Sequence, residues 1–232
     1  MLYKFTYFEL SHINALILYF IVGVIIIGLP FFIRDLEKTI YTKCIGYFII
    51  ILKSFDIFYR VYFEKHHIKD VWPLHLCNIA VILAGIYLIT KKNIIFNLVY
   101  FYYTGAILAV ILPGLDYLYT KTYVYIFIGT HMLEIIAVLY ALIHLDARVT
   151  KKGLKLSLGV YLIISILIRL LNNTIGTNYM FLNDYILPAV SFIKPLNLYA
   201  ILLTALFMLS MLITYIPFMY SDNDEIEEKI IG

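Results

Sequence analysis

The stretch Ile13–Phe32 reads INALILYFIVGVIIIGLPFF, twenty residues without a charged side chain. Inside a bilayer the backbone has no water to bond with, so a chain crosses as a helix of roughly 17–25 predominantly apolar residues. Six further stretches read the same way: Ile40–Phe63, Val71–Thr90, Ile94–Leu112, Thr122–Leu145, Leu154–Leu171 and Leu196–Tyr220. The second and fifth of the seven carry polar residues within them. The runs are long and continuous, whereas barrel strands alternate over about ten residues. The expectation is an all-α, polytopic transmembrane helical bundle of about seven spans, occupying residues 1–220 as one domain, followed by an acidic tail at 221–232.

Composition agrees with this reading. Of 232 residues 63% are hydrophobic and 14% charged, with a mean hydropathy of +0.91, so the apolar surface exceeds what one soluble core could hide. The net charge of +3 is small and its basic residues lie in short loops, which argues against a nucleic-acid surface. Residues 1–10 lack a basic leader and no small-residue cleavage site follows, so the first span is expected to stay in the mature protein. Cys44 and Cys77 both fall in apolar segments, and no structural disulfide is expected. No internal repeat is visible.

Loop charge sets the expected orientation. Arg34, Lys38, Lys91, Lys92, Arg148, Lys151, Lys152 and Lys155 gather on one side; Lys4, Lys65, Lys69, Lys121 and Lys194 lie on the other. The richer side is expected in the cytoplasm, with the N-terminus outside and the C-terminus inside, in the plasma membrane of a bacterium. Tyr residues near span ends, with Trp72, fit interfacial anchoring.

Ionisable groups within spans are costly and line bundle interiors. Here they converge on one depth zone, the outer half of the bilayer. Lys53, Asp56 and Arg60 share one helical face at i−3 and i+4 about the Asp, either fixing packing or holding a phosphate or carboxylate. His131 and Glu134 are i, i+3 on another span, and the carboxylate either orients the imidazole or is its buried partner. His75 and Cys77 begin the third span, and Arg169, Asn172, Asn173, Asn178 and Asp184 lie at the end of the sixth and in the long connection 172–195, which reads as an ordered loop or a re-entrant segment.

Pro73 suits a first helical turn, which puts Cys77 just after a helix N-terminus, where the dipole and an imidazole favour a thiolate. The alternative is a small apolar filler. His75 is about 200° from Cys77 on a regular helix, which makes His131 the better base unless the turn after Pro73 is irregular. His66 and His67 read as solvated loop residues, His12 and His144 as interfacial ones, and Cys44 as structural. No His, Cys and carboxylate spacing matches a metal-ligand set, and no cofactor is expected.

Pro73-Leu74-His75-Leu76-Cys77 and the run Asn172-Asn173-Thr174-Ile175-Gly176-Thr177-Asn178-Tyr179-Met180-Phe181-Leu182 resemble the YwaF-type bacterial integral membrane family and its animal relatives, over about Asp56–Tyr220 and including His131. The animal relatives are described as cysteine-dependent membrane acyltransferases that place polyunsaturated acyl chains on ether lysophospholipids. The resemblance implies that Cys77 is the nucleophile. Two departures stand out: Asn78 where many members have Asp after the Cys, and Lys194-Pro195-Leu196-Asn197-Leu198-Tyr199 where a Trp-rich approach to the last span is expected.

The expected function is therefore a membrane acyltransferase or transacylase, moving an acyl chain from a phospholipid to a lysolipid or other acceptor through a thioester on Cys77. His131 would be the base, His75, Asn173 and Asn178 the oxyanion donors, and Asp56, Arg60, Lys53 and Glu134 the polar lining that holds the headgroup. With water as acceptor the same site is a lipid hydrolase. A non-covalent transporter or receptor with an outward-facing cavity is the rival from another class, favoured by discontinuous helices and paired repeats.

Overall fold

The computed structural model describes residues 2–33 and 37–219, so Arg34 and the acidic tail expected at 221–232 lie outside the described residues. Each of the seven apolar runs is helical. The helices are α1 (Leu10–Phe32), α2 (Lys38–Tyr62), α3 (Leu76–Thr90), α4 (Asn93–Tyr102), α5 (Thr104–Ile111), α6 (Thr122–His144), α7 (Lys151–Ile175) and α8 (Leu196–Tyr215). Strands among the described residues are confined to a two-residue ribbon, β1 (Tyr3–Lys4) antiparallel to β2 (Tyr117–Leu118), with Tyr3 opposite Leu118. The protein is a helical membrane bundle. Five segments are long and apolar enough to cross a bilayer: α1, α4 with α5, α6, α7, and α8 with the turn that follows it. The α2 helix has the length but carries Lys53, Asp56 and Arg60, and α3, at 15 residues, is shorter than a spanning helix.

One start and one interior break differ from the sequence expectation for physical reasons. The run at Val71 becomes helical only at Leu76, because Pro73 biases Trp72 away from helical backbone and a bend carries the chain through to His75. The run at Ile94 is interrupted at Tyr103, where ψ relaxes to −16° and α4 gives way to α5.

The chain divides into two compact units, Met1–Pro73 with Cys77–Arg148, and Leu74–Leu76 with Val149–Gly232. In the first, α6 is central and packs against α1, α2, α4 and α5. Its Val124, Ile128, Leu133 and Ala141 are fully buried, while α1 leaves Ile17, Phe20, Ile21, Val24 and Ile25 exposed. An apolar interior together with an apolar exterior is the signature of a lipid-facing bundle, in which close packing rather than the hydrophobic effect joins helices.

Successive segments of this unit run antiparallel, as contacts at their two ends show. At one end β1 meets β2, and buried Glu64, just after α2, accepts from the Tyr119 and Thr120 amides ahead of α6, at 2.7 and 3.0 Å. At the other end Asn93, at the start of α4, bonds the backbone of Arg148, after α6, at 3.0 and 2.9 Å, and buried Asn97 adds a third bond to it. His12 and His144, read as interfacial, each reach a backbone carbonyl of another helix. His12 is fully buried, accepting from Phe8 N at 3.1 Å through Nδ1 and reaching Val110 O at 2.9 Å, and His144 reaches Ile27 O at 2.8 Å.

In the second unit the Thr150 side chain caps α7 by accepting from Gly153 N, and Gly176, at φ +67°, closes it in the left-handed conformation that glycine adopts without strain. The helices α7 and α8 are antiparallel: Arg169 meets Asn197, and two turns further in Tyr161 meets Phe207. Between them, 176–195 is an ordered, hydrogen-bonded loop. Buried Asn172 anchors it, donating to Tyr179 O and accepting from Tyr179 N and Thr177 Oγ1, all at 2.9 Å.

Candidate active site

The polar interior of the first unit is assembled from α2, α3 and α6. On α2 the Lys53 ammonium donates to Asp56 Oδ2 at 2.5 Å and to Asn78 Oδ1 at 2.7 Å. All three side chains are buried, at 3%, 2% and 6% exposure. One buried cation is thus shared between a carboxylate and a neutral amide, which ties α2 to the first turn of α3. The arrangement uses Asn78, noted in the sequence only as a departure from a family pattern. Arg60 does not pair with Asp56 among the described residues. Its Nη2 donates to Asp70 O at 3.1 Å, stitching α2 to the turn after it, and its Nε is buried without a hydrogen-bond partner.

Cys77 is the second residue of α3, because the helix begins at Leu76 and leaves Pro73 outside its first turn, and it is partly buried. Its sulfur faces the backbone N–H groups of Cys77 and Asn78, donors that the first helical turn leaves without intrahelical acceptors. Glu134 and Lys53 are its electrostatic neighbours. Both cysteines are free.

On α6, His131 Nδ1 lies 2.7 Å from Phe127 O. A carbonyl only accepts, so the ring hydrogen is on Nδ1 and Nε2 carries the lone pair. That Nε2 is buried and has no hydrogen-bond partner, and the same holds for both carboxyl oxygens of Glu134, one turn on and fully buried. Lys53 interacts electrostatically with His131 and with Glu134, and Asp56 with His131. The predicted residues Lys53, Asp56, Cys77, His131 and Glu134 therefore form one electrostatic cluster around Lys53. No hydrogen bond joins Cys77 to His131 or His131 to Glu134 among the described residues.

His75, Asn173 and Asn178 belong to the second unit. His75 lies before α3, so the regular-helix angle to Cys77 does not apply. Its ring packs on Tyr179 and Phe181, and its Nδ1 accepts from Met180 N at 3.3 Å, which places the hydrogen on Nε2. Asn178 accepts from the Asn183 and Asp184 amides at 2.9 Å and donates to Asp184 O, and Asn173 accepts from Asn183 Nδ2 at 2.7 Å. Both hold the loop.

Outside the helices, His66 is half-buried, and burial first, then the Arg60 charge, pulls its pKa below the ordinary histidine value. No group of three His, Cys, Asp or Glu side chains is placed to hold a metal ion among the described residues. Sequence reasoning missed Glu64, two residues before His66. Its partners, the Tyr119 and Thr120 amides, lie in the loop before α6, where hydropathy carries no signal.

The chain is similar to an uncharacterized protein of Treponema pallidum (strain Nichols), 36% identical over 155 residues, which are 67% of this chain and 65% of that protein. No solved structure matches. Residues 7–215, from the loop before α1 to the end of α8, match the TMEM164 family, and the chain belongs to that family.

Proposed function

We propose that this protein is a membrane acyltransferase or transacylase in which Cys77 carries the acyl group as a thioester. The observation that carries the reading is a thiol at a helix N-terminus beside a buried cluster in which His131 Nε2 and the Glu134 carboxyl lack partners. Buried polar atoms without partners are expensive and few, and they mark places where a substrate completes the bonding. Family membership and the YwaF-like Pro73–Cys77 segment point the same way.

In the first half-reaction, Cys77 Sγ loses its proton to His131 Nε2 and attacks the ester carbonyl of a phospholipid. The tetrahedral oxyanion takes the backbone N–H groups of Cys77 and Asn78. Collapse breaks the ester C–O bond, and the departing lysolipid oxygen receives the proton from His131. In the second half-reaction, a lysolipid or other acceptor hydroxyl gives its proton to His131 and attacks the thioester, which releases the Cys77 thiol. His131 is the base rather than His75 because its free ring nitrogen carries a lone pair, whereas His75 already uses its own on Met180 N. Lys53 and Asp56 fix the local field at His131, and Glu134 acts electrostatically on Cys77.

The chain is read as crossing the plasma membrane of a bacterium seven times, with the N-terminus outside. Antiparallel alternation within each unit and the loop charges support this, and a phospholipid donor suits a site in the outer half.

The test is acyl transfer from a chain-labelled phospholipid to a lysolipid by the purified protein in nanodiscs. Cys77→Ala abolishes transfer, and His131→Gln lowers its rate by about 10²–10⁴. Transfer retained in Cys77→Ala would end the thioester reading. Label released as free fatty acid with none on the lysolipid would make the protein a hydrolase.

A further inference from the structure

The second unit carries a groove of about 510 Å³ between α7 and α8, open along one side. Leu162, Ile166, Ile201, Ala205 and Met208 line its length, and Arg169, Asn197 and Leu182 close one end. Ser165 and Thr204 also face it, but their hydroxyls donate to Tyr161 O and Ala200 O at 2.8 Å within their own helices. What they turn to the groove is effectively hydrocarbon.

Arg169 is the feature that needs an explanation. It stands six residues before the end of α7, about 9 Å along the axis, on a helix whose 25 residues span about 37 Å against a hydrocarbon core of about 30 Å. That places its guanidinium near the boundary between headgroups and acyl chains. Its two hydrogen bonds go to neutral acceptors, Leu182 O and Asn197 Oδ1. No carboxylate pairs with it among the described residues, and three of its five N–H donors remain. A half-buried cation at this depth is costly without an anion. From Asn197 to Met208 the groove runs 11 residues of α8, about 16 Å, close to the depth of one leaflet.

We propose that this groove is a phospholipid site: one acyl chain lies between α7 and α8, and the lipid phosphate binds Arg169. A lipid supplies both features at once, an anion of bidentate geometry at the boundary and a chain of leaflet length below it. A second helix would fill the apolar length but bring no anion, and free phosphate would bind Arg169 but leave the apolar length unfilled. The site does not depend on Cys77 being a nucleophile, and it is tested in Cys77→Ala protein as well as in the unaltered chain.

The experiment is photo-crosslinking of the full chain in nanodiscs containing phosphatidylglycerol with a mid-chain diazirine, with labelled peptides mapped by mass spectrometry. Diacylglycerol carrying the same chain is the control. The phospholipid is expected to label α7 and α8 peptides about tenfold more than diacylglycerol, a preference lost in Arg169→Gln and partly kept in Arg169→Lys. Ala205→Trp, at an exposed position, fills the groove without disturbing the unit's core and removes the label from both lipids. Inorganic phosphate at millimolar concentration leaves the labelling unchanged. Equal labelling by the two lipids, labelling spread evenly over all exposed helices, or unaltered labelling in Ala205→Trp would overturn the proposal. Displacement by phosphate would overturn it in favour of an anion site, and crosslinks to a second copy of the chain in favour of a dimer interface.

Discussion

Lys53 holds its ammonium between Asp56 and Asn78 at 2.5 and 2.7 Å, almost wholly out of solvent. Removing one member of a buried pair leaves the other charge uncompensated, which costs about 3–5 kcal/mol, whereas replacing both with apolar groups is close to neutral. Lys53→Met should therefore lower the thermal midpoint of the detergent-purified protein sharply, and Lys53→Met with Asp56→Leu should recover most of the loss. Size-exclusion profiles after heating read both. An unchanged midpoint in the single variant would mean that the ion pair is solvated. The i, i+3 spacing of this pair was legible in the sequence. Its third partner was not, because Asn78 comes from another helix, 25 residues on, and nothing in a polar residue's own neighbourhood names a distant acceptor. The same limit hid Glu64, whose bonds lie across 55 residues, and the loop contacts of Asn173 and Asn178.

Among elements, the α2–α3 contact is set by a glycine from each helix. A Cβ on Gly46 would lie 2.7 Å from Gly85 O, and one on Gly85 would lie 2.7 Å from Ile50 Cγ1, so the two backbones touch. In lipid such close approach is the attraction itself. Gly46→Ala should destabilise the protein by about 1–3 kcal/mol through overpacking. Gly159→Ala, on the exposed face of α7 with nothing within 4 Å of the new carbon, should instead stabilise by about 0.5–1 kcal/mol through lower chain entropy. Parallel thermal scans in one detergent compare them, and equal effects at both glycines would contradict the packing. Each apolar run holds helix, because a bilayer leaves the backbone no other partner, but the Ile94 run holds two. Where the helices begin was less legible: α3 starts at Leu76 rather than Val71, and local Pro chemistry, not hydropathy, decides that boundary.

At the scale of the whole molecule, loop charge makes an orientation prediction that packing does not. With the N-terminus outside, single cysteines placed at Lys151 or Lys152, in a background where Cys44 and Cys77 are replaced, should react with an impermeant maleimide only after the cells are opened. A cysteine at Lys65 or Lys194 should react in intact cells. The reverse pattern would invert the bundle and move the Cys77 cluster to the inner leaflet, with cytosolic acyl donors then in reach. The sequence showed that the chain is a helical bundle, since composition alone excludes a soluble core. It could not show that α6 is the packing centre of its unit or that His75 belongs to a different unit from Cys77, because helix pairing in lipid depends on shape complementarity between faces that are all apolar.

The central claim, a thioester on Cys77, is tested most directly by intact and peptide-level mass spectrometry of the unaltered protein during turnover with a phospholipid of defined chain. The account predicts an adduct of one acyl mass on the Cys77 peptide, removed by neutral hydroxylamine and accumulating when lysolipid is withheld. An acyl adduct on any other residue, or transfer proceeding at full rate with the Cys77 peptide always unmodified, would contradict it.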